Sequence, residues 1–253
     1  MMAPFFLKSS PRCYVCGQAL KGAFLVDSWG EKFCLEHQGK FPSCSFCGRL
    51  IPSQYHEINQ AIHPHMRCQV CRSSAIETLE QANPLFGKIV QWVNGQGLRY
   101  QNLPLRIELV SREQLFQIDP KSSNPKTLGT AMKEVHTAAG RPPQVRIKGV
   151  AILRGLPATL FHGVTIHELG HVWLAVHGVL LIRWAEEGFC ELLAYRYYAQ
   201  ENTPESRFRA QQMEKNPDPI YGEGFRHLHA LARSQGFSWV IETLVNTKKL
   251  PGI

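Results

Sequence analysis

Two histidines four residues apart flank a glutamate in the run His167-Glu168-Leu169-Gly170-His171. Four residues is one helical turn, so on a helix both imidazoles face one way and can grip a metal ion from the same side. The chemistry this specifies is metal-assisted hydrolysis. Two imidazoles and one further protein donor leave a corner of a tetrahedral zinc open to water, and Glu168 is placed to take a proton from a water that the ion has acidified. The plainer alternative, a solvated helix with two surface histidines, is disfavoured by the apolar residues around the run.

Two sources compete for the third donor. His177 stands six residues after His171, where a metzincin carries its last histidine, but that pattern needs a helix-breaking glycine at the position of Leu174. On an unbroken helix His177 points about 120° away and lies roughly 9 Å along the axis, so it is read as a non-ligand. Ala185-Glu186-Glu187-Gly188-Phe189-Cys190-Glu191 opens a second helix that runs to about Gln200. Its Glu-Gly step resembles the gluzincins, whose third ligand is the Glu before Gly on the helix after the His-Glu helix, and that resemblance makes Glu187 the ligand. Glu191, one turn on, shares its face and is placed to hydrogen-bond a zinc-bound imidazole. The competing reading of these glutamates is an acidic first turn suited to the helix dipole. Cys190 reads as a small buried residue.

A second kind of metal chemistry occupies the amino-terminal part. Cys13/Cys16, Cys44/Cys47 and Cys68/Cys71 are three Cys-x-x-Cys pairs, and Cys34-x-x-His37 is a fourth half-site. Such spacing lets a tight turn present two donors to one ion. Cys13, Cys16, Cys34 and His37 form one structural zinc site, and Cys44, Cys47, Cys68 and Cys71 form another. His63 and His65 compete for the second ion and are read as loop residues flanking Pro64. A segment so short and so poor in apolar residues takes its folding energy from the metal.

These groups need elements to hold them. The chain has 253 residues and is 44% hydrophobic, enough for a main domain and a smaller one. The expected division is residues 10–72 as a tandem zinc-ribbon module and 73–253 as the catalytic domain. Ser73 to Asn94 carries apolar residues at helical spacing interrupted by Pro84, which predicts two short helices. Leu105–Val110 and Gln144–Leu153 read as strands, with a polar loop at Asp119–Asn124 between them. The stretch from Arg146 to Leu153 is expected to be the strand edging the cleft, open to an added substrate strand. Ala158 to His177 is a long apolar helix that starts after Pro157 and stops at Gly178. The fold class is therefore α+β, a small zinc-ribbon module followed by a small sheet and a mainly helical remainder.

The formal charge is +8, yet the basic residues are dispersed, so nucleic acid is not indicated as a partner. The one local excess, eight basic against three acidic residues from Arg112 to Arg154, points weakly to acidic or polar peptides. No apolar run reaches membrane-span length and no secretory leader is seen, so a cytoplasmic location without membrane association is expected.

The zinc module resembles LIM-type tandem ribbons, although here the first site ends Cys-x-x-His and six residues separate the fingers. Gly155-Leu156-Pro157, the His-Glu helix with Trp173 two residues after it, Glu186-Glu187-Gly188-Phe189-Cys190 and Tyr221-Gly222-Glu223-Gly224-Phe225-Arg226 are similar to the LIM-containing, ubiquitin-activated peptidases that limit organ and seed size in plants, the "DA-one" family. The resemblance covers nearly the whole chain. It implies a gluzincin-type zinc endopeptidase cutting protein substrates, with one catalytic and two structural zinc ions and with ubiquitin or ubiquitylated proteins as candidate partners. Plant members carry ubiquitin-interacting helices and a further LIM domain ahead of this region, whereas this chain begins at the ribbons, as a compact two-module form would. Tyr221, in the family's Tyr-Gly-acid-Gly-Phe-Arg segment, is the first candidate to stabilise the oxyanion, with Arg226 and His229 behind it; a packing tyrosine in a turn is the alternative. Two other functions stay open, a protein-binding adaptor on a dormant peptidase fold and a DNA-associated metallopeptidase.

Overall fold

In the computed structural model the described residues are 10–52, 65–101, 103–120, 126–136 and 144–251. The fold is α+β, and the chain divides into two compact units, Met1–Ser74 and Ala75–Ile253.

The first unit holds little regular structure. A two-residue hairpin pairs β1 (Leu25–Val26) with β2 (Lys32–Phe33), a single 3-10 turn covers Leu35–His37, and a short helix α1 spans Gln69–Ser73. Two turns of the same form recur. In each, the carbonyl of the first cysteine accepts from the glycine N–H four residues on, Gly17 to Cys13 at 2.8 Å and Gly48 to Cys44 at 2.9 Å. An isolated antiparallel bridge closes each turn, Arg12 with Ala19 and Ser43 with Leu50. The buried apolar set here is small: Leu20, Phe46 and Ile51 besides five of the cysteines.

The second unit begins with β3 (Ala75–Ile76), which pairs antiparallel with β7 (Leu156–Pro157). Between them run α2 (Leu79–Gly95), β4 (Ile107–Val110), α3 (Arg112–Ile118), β5 (Gly129–His136) and β6 (Gln144–Leu153). The main sheet has the order β4-β6-β5, with β4 parallel and β5 antiparallel to β6. Five helices follow: α4 (Ala158–Val176), α5 (Arg183–Glu201), α6 (Pro204–Glu214), α7 (Tyr221–Gln235) and α8 (Phe237–Thr247).

Three local expectations change. Pro84 does not split a helix in two, because α2 runs unbroken through it. Pro84 is exposed, so the Glu80 carbonyl it leaves without a partner faces water, while buried Ala82, Phe86, Ile89 and Val93 hold both halves to one core. A capping box at Thr78 and Gln81 fixes the start of the helix. Second, the segment 146–153 is not an edge. It lies in the central strand, hydrogen-bonded on both sides, and among the described residues β5 is an edge strand, packed beside α4. Third, β5 itself was not foreseen, since Gly129, Thr130 and Ala131 lack the branched apolar alternation of a strand and take that state from pairing with β6. Most of the loop expected at 119–124 lies outside the described residues, as do His63 and Pro64.

Helix α4 is the centre of this unit. Phe161, Ile166, Leu169, Val172 and Trp173 on it are fully buried, so it is covered on nearly every side, against the sheet on one face and α5 on another. It ends as its sequence expects. Gly178 takes φ +62°, and Val179 N–H returns to the Leu174 carbonyl at 2.9 Å, closing a Schellman turn. Among the described residues no helix is long and apolar enough to cross a membrane.

Candidate metal centre

The turn after α4 sends α5 back along it, and the side-chain pairs show the antiparallel sense: His171 meets Glu186, whereas His167, one turn earlier, meets Glu191, one turn later. Gly170 permits the approach, because a Cβ there would lie 2.8 Å from the Cys190 sulfur. Between the two helices, the Nε2 atoms of His167 and His171 are 3.2 Å apart. Glu187 Oε2 lies 3.2 Å from the first and 3.4 Å from the second.

These three donors form a nearly equilateral triangle. Ligands at zinc–nitrogen and zinc–oxygen distances around a tetrahedral ion stand about 3.3 Å from one another, which is the observed spacing. The outer nitrogens are also committed. His167 Nδ1 is 3.0 Å from Glu191 Oε1 and His171 Nδ1 is 2.8 Å from Glu186 Oε1. Each Nδ1–H donates to a carboxylate, so both Nε2 atoms turn lone pairs inward, and the buried Glu187 Oε2 between them has no hydrogen-bond donor. Two imidazole lone pairs and a carboxylate oxygen converging at this distance repel unless a cation sits among them. The donor set fits a metal dication.

The titration directions agree. Burial opposes a charge on His167, but the carboxylates of Glu187 and Glu191 outweigh it and raise its pKa well above the ordinary imidazole value. His171 is likewise raised against its burial, by Cys190, Glu186 and Glu187. Burial would raise the Glu187 pKa, yet the two imidazoles pull it far below the carboxylate range. A pocket that retains protons this firmly is built for positive charge. Glu168 lies between these donors and the sheet. It is buried, and desolvation raises its pKa against the pull of the two histidines and of the nearby Ala131 backbone. Gly129 leaves room for it, since a Cβ there would meet Glu168 Cγ at 3.0 Å. The acid next to the metal donors thus lies under the edge strand β5, with its proton affinity increased.

On the opposite side stands Tyr221, the first residue of α7. Its ring stacks on that of His167 at 6.4 Å and 30°, and burial and the charge of Glu187 raise its pKa while the positive charge of Arg183 works the other way. Glycines determine this placement. At the crossing of α5 and α7 a Cβ on Gly188 would fall 2.4 Å from the Gly224 carbonyl, and one on Gly224 would fall 2.2 Å from the Trp184 carbonyl oxygen. The backbones therefore touch, and the Glu-Glu-Gly and Tyr-Gly-Glu-Gly-Phe runs are two halves of one close crossing. Arg226 serves the turn before α7, donating to the Asn216 carbonyl at 2.7 Å, and His229 stacks on Phe225. Neither faces the metal donors.

Sequence reasoning missed two participants. Glu186, beside the expected ligand, holds the second imidazole, and the charge of Arg183 acts on Tyr221. Cys190 is fully buried, and its sulfur lies within 4.8 Å of the histidine donors. The acidic repeat Glu186-Glu187-x-x-x-Glu191 was the available signal for the first, because three carboxylates on two adjoining helical faces exceed what one ligand needs. His177 turns away, with Nδ1 2.9 Å from the Trp173 carbonyl and its ring against Trp173.

In the amino-terminal unit the donor atoms of Cys13, Cys16, Cys34 and His37 gather in one group and those of Cys44, Cys47, Cys68 and Cys71 in another. Sulfur–sulfur distances of 3.9 Å for Cys16–Cys34 and 3.5 Å for Cys47–Cys68 bracket the roughly 3.8 Å expected of thiolates on tetrahedral zinc. His37 Nε2 is buried without a hydrogen-bond partner. Burial alone would raise the Cys13 pKa, but backbone N–H groups of Cys16, Cys34 and Val15 bring it down to about 6, favouring thiolate. Both groups could hold metal. The second is buried throughout, whereas in the first Cys16 is exposed. Arg49, stacked over Trp29 at 4.0 Å, places a cation 3.9 Å from the Cys47 sulfur, where a four-thiolate site carries excess negative charge. His65 packs on Phe46.

The comparisons with known proteins agree with the family expected from the residues. The model of the DA1-like family, described as Protein DA1, matches residues 107–210. The chain is 25% identical to Protein DA1 of Arabidopsis thaliana over 95% of its own length and 57% of that protein. It is 24% identical to LIM domain-containing protein HDR3 of Oryza sativa subsp. japonica over 77% of its length and 45% of that protein. With Protein DA1-related 2 of Arabidopsis thaliana it shares 23% identity over 95% of its length and 58% of the relative. The chain thus spans about half the length of the curated relatives it matches. No solved structure matches it.

Proposed function

From the premise that this is a DA1-like protein, we propose that it is a zinc-dependent endopeptidase that hydrolyses peptide bonds of protein substrates. His167, His171 and Glu187 hold the catalytic zinc; Cys13, Cys16, Cys34 and His37 hold one structural zinc, and Cys44, Cys47, Cys68 and Cys71 the other. The amino-terminal unit is a LIM-like module that docks or scaffolds substrates, with ubiquitin or ubiquitylated proteins among its partners. The observation that carries the reading is the triangle of Nε2, Nε2 and Oε2 atoms at 3.2 to 3.4 Å, with both outer nitrogens tied to carboxylates.

When bound, zinc supplies Lewis acidity toward water and the scissile carbonyl. The chain's own groups do the rest. Glu191 and Glu186 fix the two imidazoles in the Nδ1–H tautomer, which leaves the Nε2 lone pairs for the ion. Glu168, whose burial raises its proton affinity, takes the proton of the attacking water and passes it to the leaving amine nitrogen. Tyr221, stacked on His167, offers its hydroxyl to the oxyanion that develops on the carbonyl oxygen. The edge strand β5 lies beside Glu168.

The test is Glu168→Gln in the full chain. The variant should keep its full zinc content and lose cleavage by at least about a hundredfold, the scale of general acid–base catalysis. Peptides that accumulate with the parent protein and not with the variant identify the substrates. Retained proteolysis in Glu168→Gln would refute the mechanism.

A further inference from the structure

A helix begins with four N–H groups that have no acceptor within it. In α7 these belong to Ile220, Tyr221, Gly222 and Glu223, and all of them go to one residue, Asp218. Its Oδ1 accepts from Ile220 at 2.8 Å and from Tyr221 at 3.0 Å, and its carbonyl accepts from Gly222 at 2.9 Å and from Glu223 at 3.0 Å. Ile220, at the N-cap, makes no side-chain cap, so Asp218 supplies the missing acceptor. Asp218 is itself held. Its N–H donates to Asn216 Oδ1 at 3.1 Å, and the Asn216 carbonyl accepts from Arg226, one turn along α7, at 2.7 Å. Gly222 lets that carbonyl press on the first turn, where a Cβ would lie 2.0 Å from it.

We propose that Asp218 is a positioning residue: by capping α7 it fixes the Tyr221 phenol against His167, where the hydroxyl serves the oxyanion; the proposal rests on the peptidase reading of that site. Tyr221 is the first residue of α7, the place where a helix unravels most readily once its N–H groups lose their partners. Its ring stacks on that of His167, so an opened first turn carries the phenol off the imidazole. The body of the helix does not depend on the cap, because buried Phe225 and Leu228 hold it to the core. Losing the cap therefore moves the phenol and leaves the fold. That matters because an oxyanion donor accelerates a reaction only if it already points where charge develops. Asp218 is exposed and its truncation leaves no cavity, so its function can be separated from folding.

Two measurements on the zinc-loaded full chain test this, with zinc content determined for every variant. The first is amide hydrogen exchange. Asp218→Ala should speed exchange at residues 220–223 by about five- to tenfold, the value of an ordinary cap, and leave residues 225–232 within about twofold of the parent. Asp218→Asn, which keeps the accepting oxygen, should match the parent throughout. The second is binding of methylphosphonate, a tetrahedral anion. Tyr221→Phe should weaken it by about tenfold, the value of one charge-assisted hydrogen bond. Asp218→Ala should weaken it by at least about threefold in the parent but by less than about twofold in the Tyr221→Phe background, because a residue acting through the hydroxyl has nothing left to act on. Asp218→Asn should bind as the parent does. No loss from Asp218→Ala, equal losses in both backgrounds, or a loss from Asp218→Asn as large as from Asp218→Ala would each overturn the proposal. Absence of methylphosphonate binding in protein holding three zinc ions overturns it too. Protein that takes up only two zinc ions, unaffected by Glu187→Ala, instead overturns the peptidase reading on which the proposal stands.

Discussion

Removing the carboxylates behind the imidazoles should weaken the catalytic zinc, and the two should not be equal. Glu191 and Glu186 each bind one Nδ1, at 3.0 and 2.8 Å. Distance alone ranks Glu186 first, but 3.0 against 2.8 Å changes a Coulomb energy by only about 7%. Exposure ranks them the other way, since the side chain of Glu191 is 20% exposed and that of Glu186 34%. Between a wet and a dry environment the effective dielectric varies several-fold, far more than the distance does, so exposure wins. Loss of such a partner costs about 10- to 100-fold in metal affinity. Glu191→Gln should fall near the upper end and Glu186→Gln near the lower, a difference of roughly 1 kcal/mol. Cobalt reports the site selectively. The thiolate sites give sulfur-to-cobalt charge transfer, whereas a His-His-Glu site shows only weak visible bands, so the third equivalent can be followed against a competing chelator in the intact chain. If Glu186→Gln weakens cobalt binding more than Glu191→Gln, or if neither does so by more than twofold, the assignment of these carboxylates is wrong.

Further consequences concern protons, packing and the amino-terminal unit. In the metal-free protein the pKa values of His167 and His171 are raised, so their stabilising charge is fully present below the ordinary imidazole value of about 6.5 and is lost as pH rises through the folded values. Zinc must displace those protons, and calorimetry in buffers of different ionisation enthalpy should show proton release and an affinity that climbs with pH. The depressed pKa of Glu187 acts oppositely, stabilising above the ordinary carboxylate value and failing as acid reaches the folded one. Gly188→Ala, whose Cβ meets the Gly224 backbone, should destabilise the fold by about 1–3 kcal/mol or more in denaturant titrations. It should also impair turnover and zinc content together, because it shifts Tyr221 across the crossing and Glu187 beside it. A chromogenic chelator should draw zinc first from the group containing exposed Cys16 and later from the buried group of four cysteines, and Cys44→Ala should unfold the amino-terminal unit as seen by far-UV dichroism. Simultaneous release from both groups would contradict the difference in burial.

How far these features could be read from the sequence depended on whether their cause is local. Spacing along one helix or one turn is fixed by backbone geometry, so the pairing of His167 with His171, the Cys-x-x-Cys half-sites and the end of α4 at Gly178 were all legible. The α+β class and the strand at Gln144–Leu153 followed from periodicity. Pro84 misled because propensity counts the lost hydrogen bond, whereas the burial of Phe86 and Ile89 after it is a tertiary quantity. Strand β5 was invisible for the same reason, being held by its partner and not by its own residues.

The glycines show where local and non-local causes meet. In the sequence, Gly188 after Glu187 and the pair Gly222 and Gly224 after Tyr221 read only as marks of a family. In space, Gly188 and Gly224 are the contact that lets α5 and α7 touch backbone to backbone. That contact sets how far Tyr221 stands from His167. Gly222 does a separate job, since its Cβ would fall 2.0 Å from the Asn216 carbonyl oxygen, the atom to which Arg226 donates. A side chain at any of the three would leave every ligand of the metal on α4 in place and still misplace the group opposite. The two histidines are thus specified within one helix, whereas Glu187 and the group proposed to act on the substrate's oxygen stand on two further helices that meet at a crossing some forty residues apart in sequence, which is why the histidines could be named from spacing and the other two only by likeness.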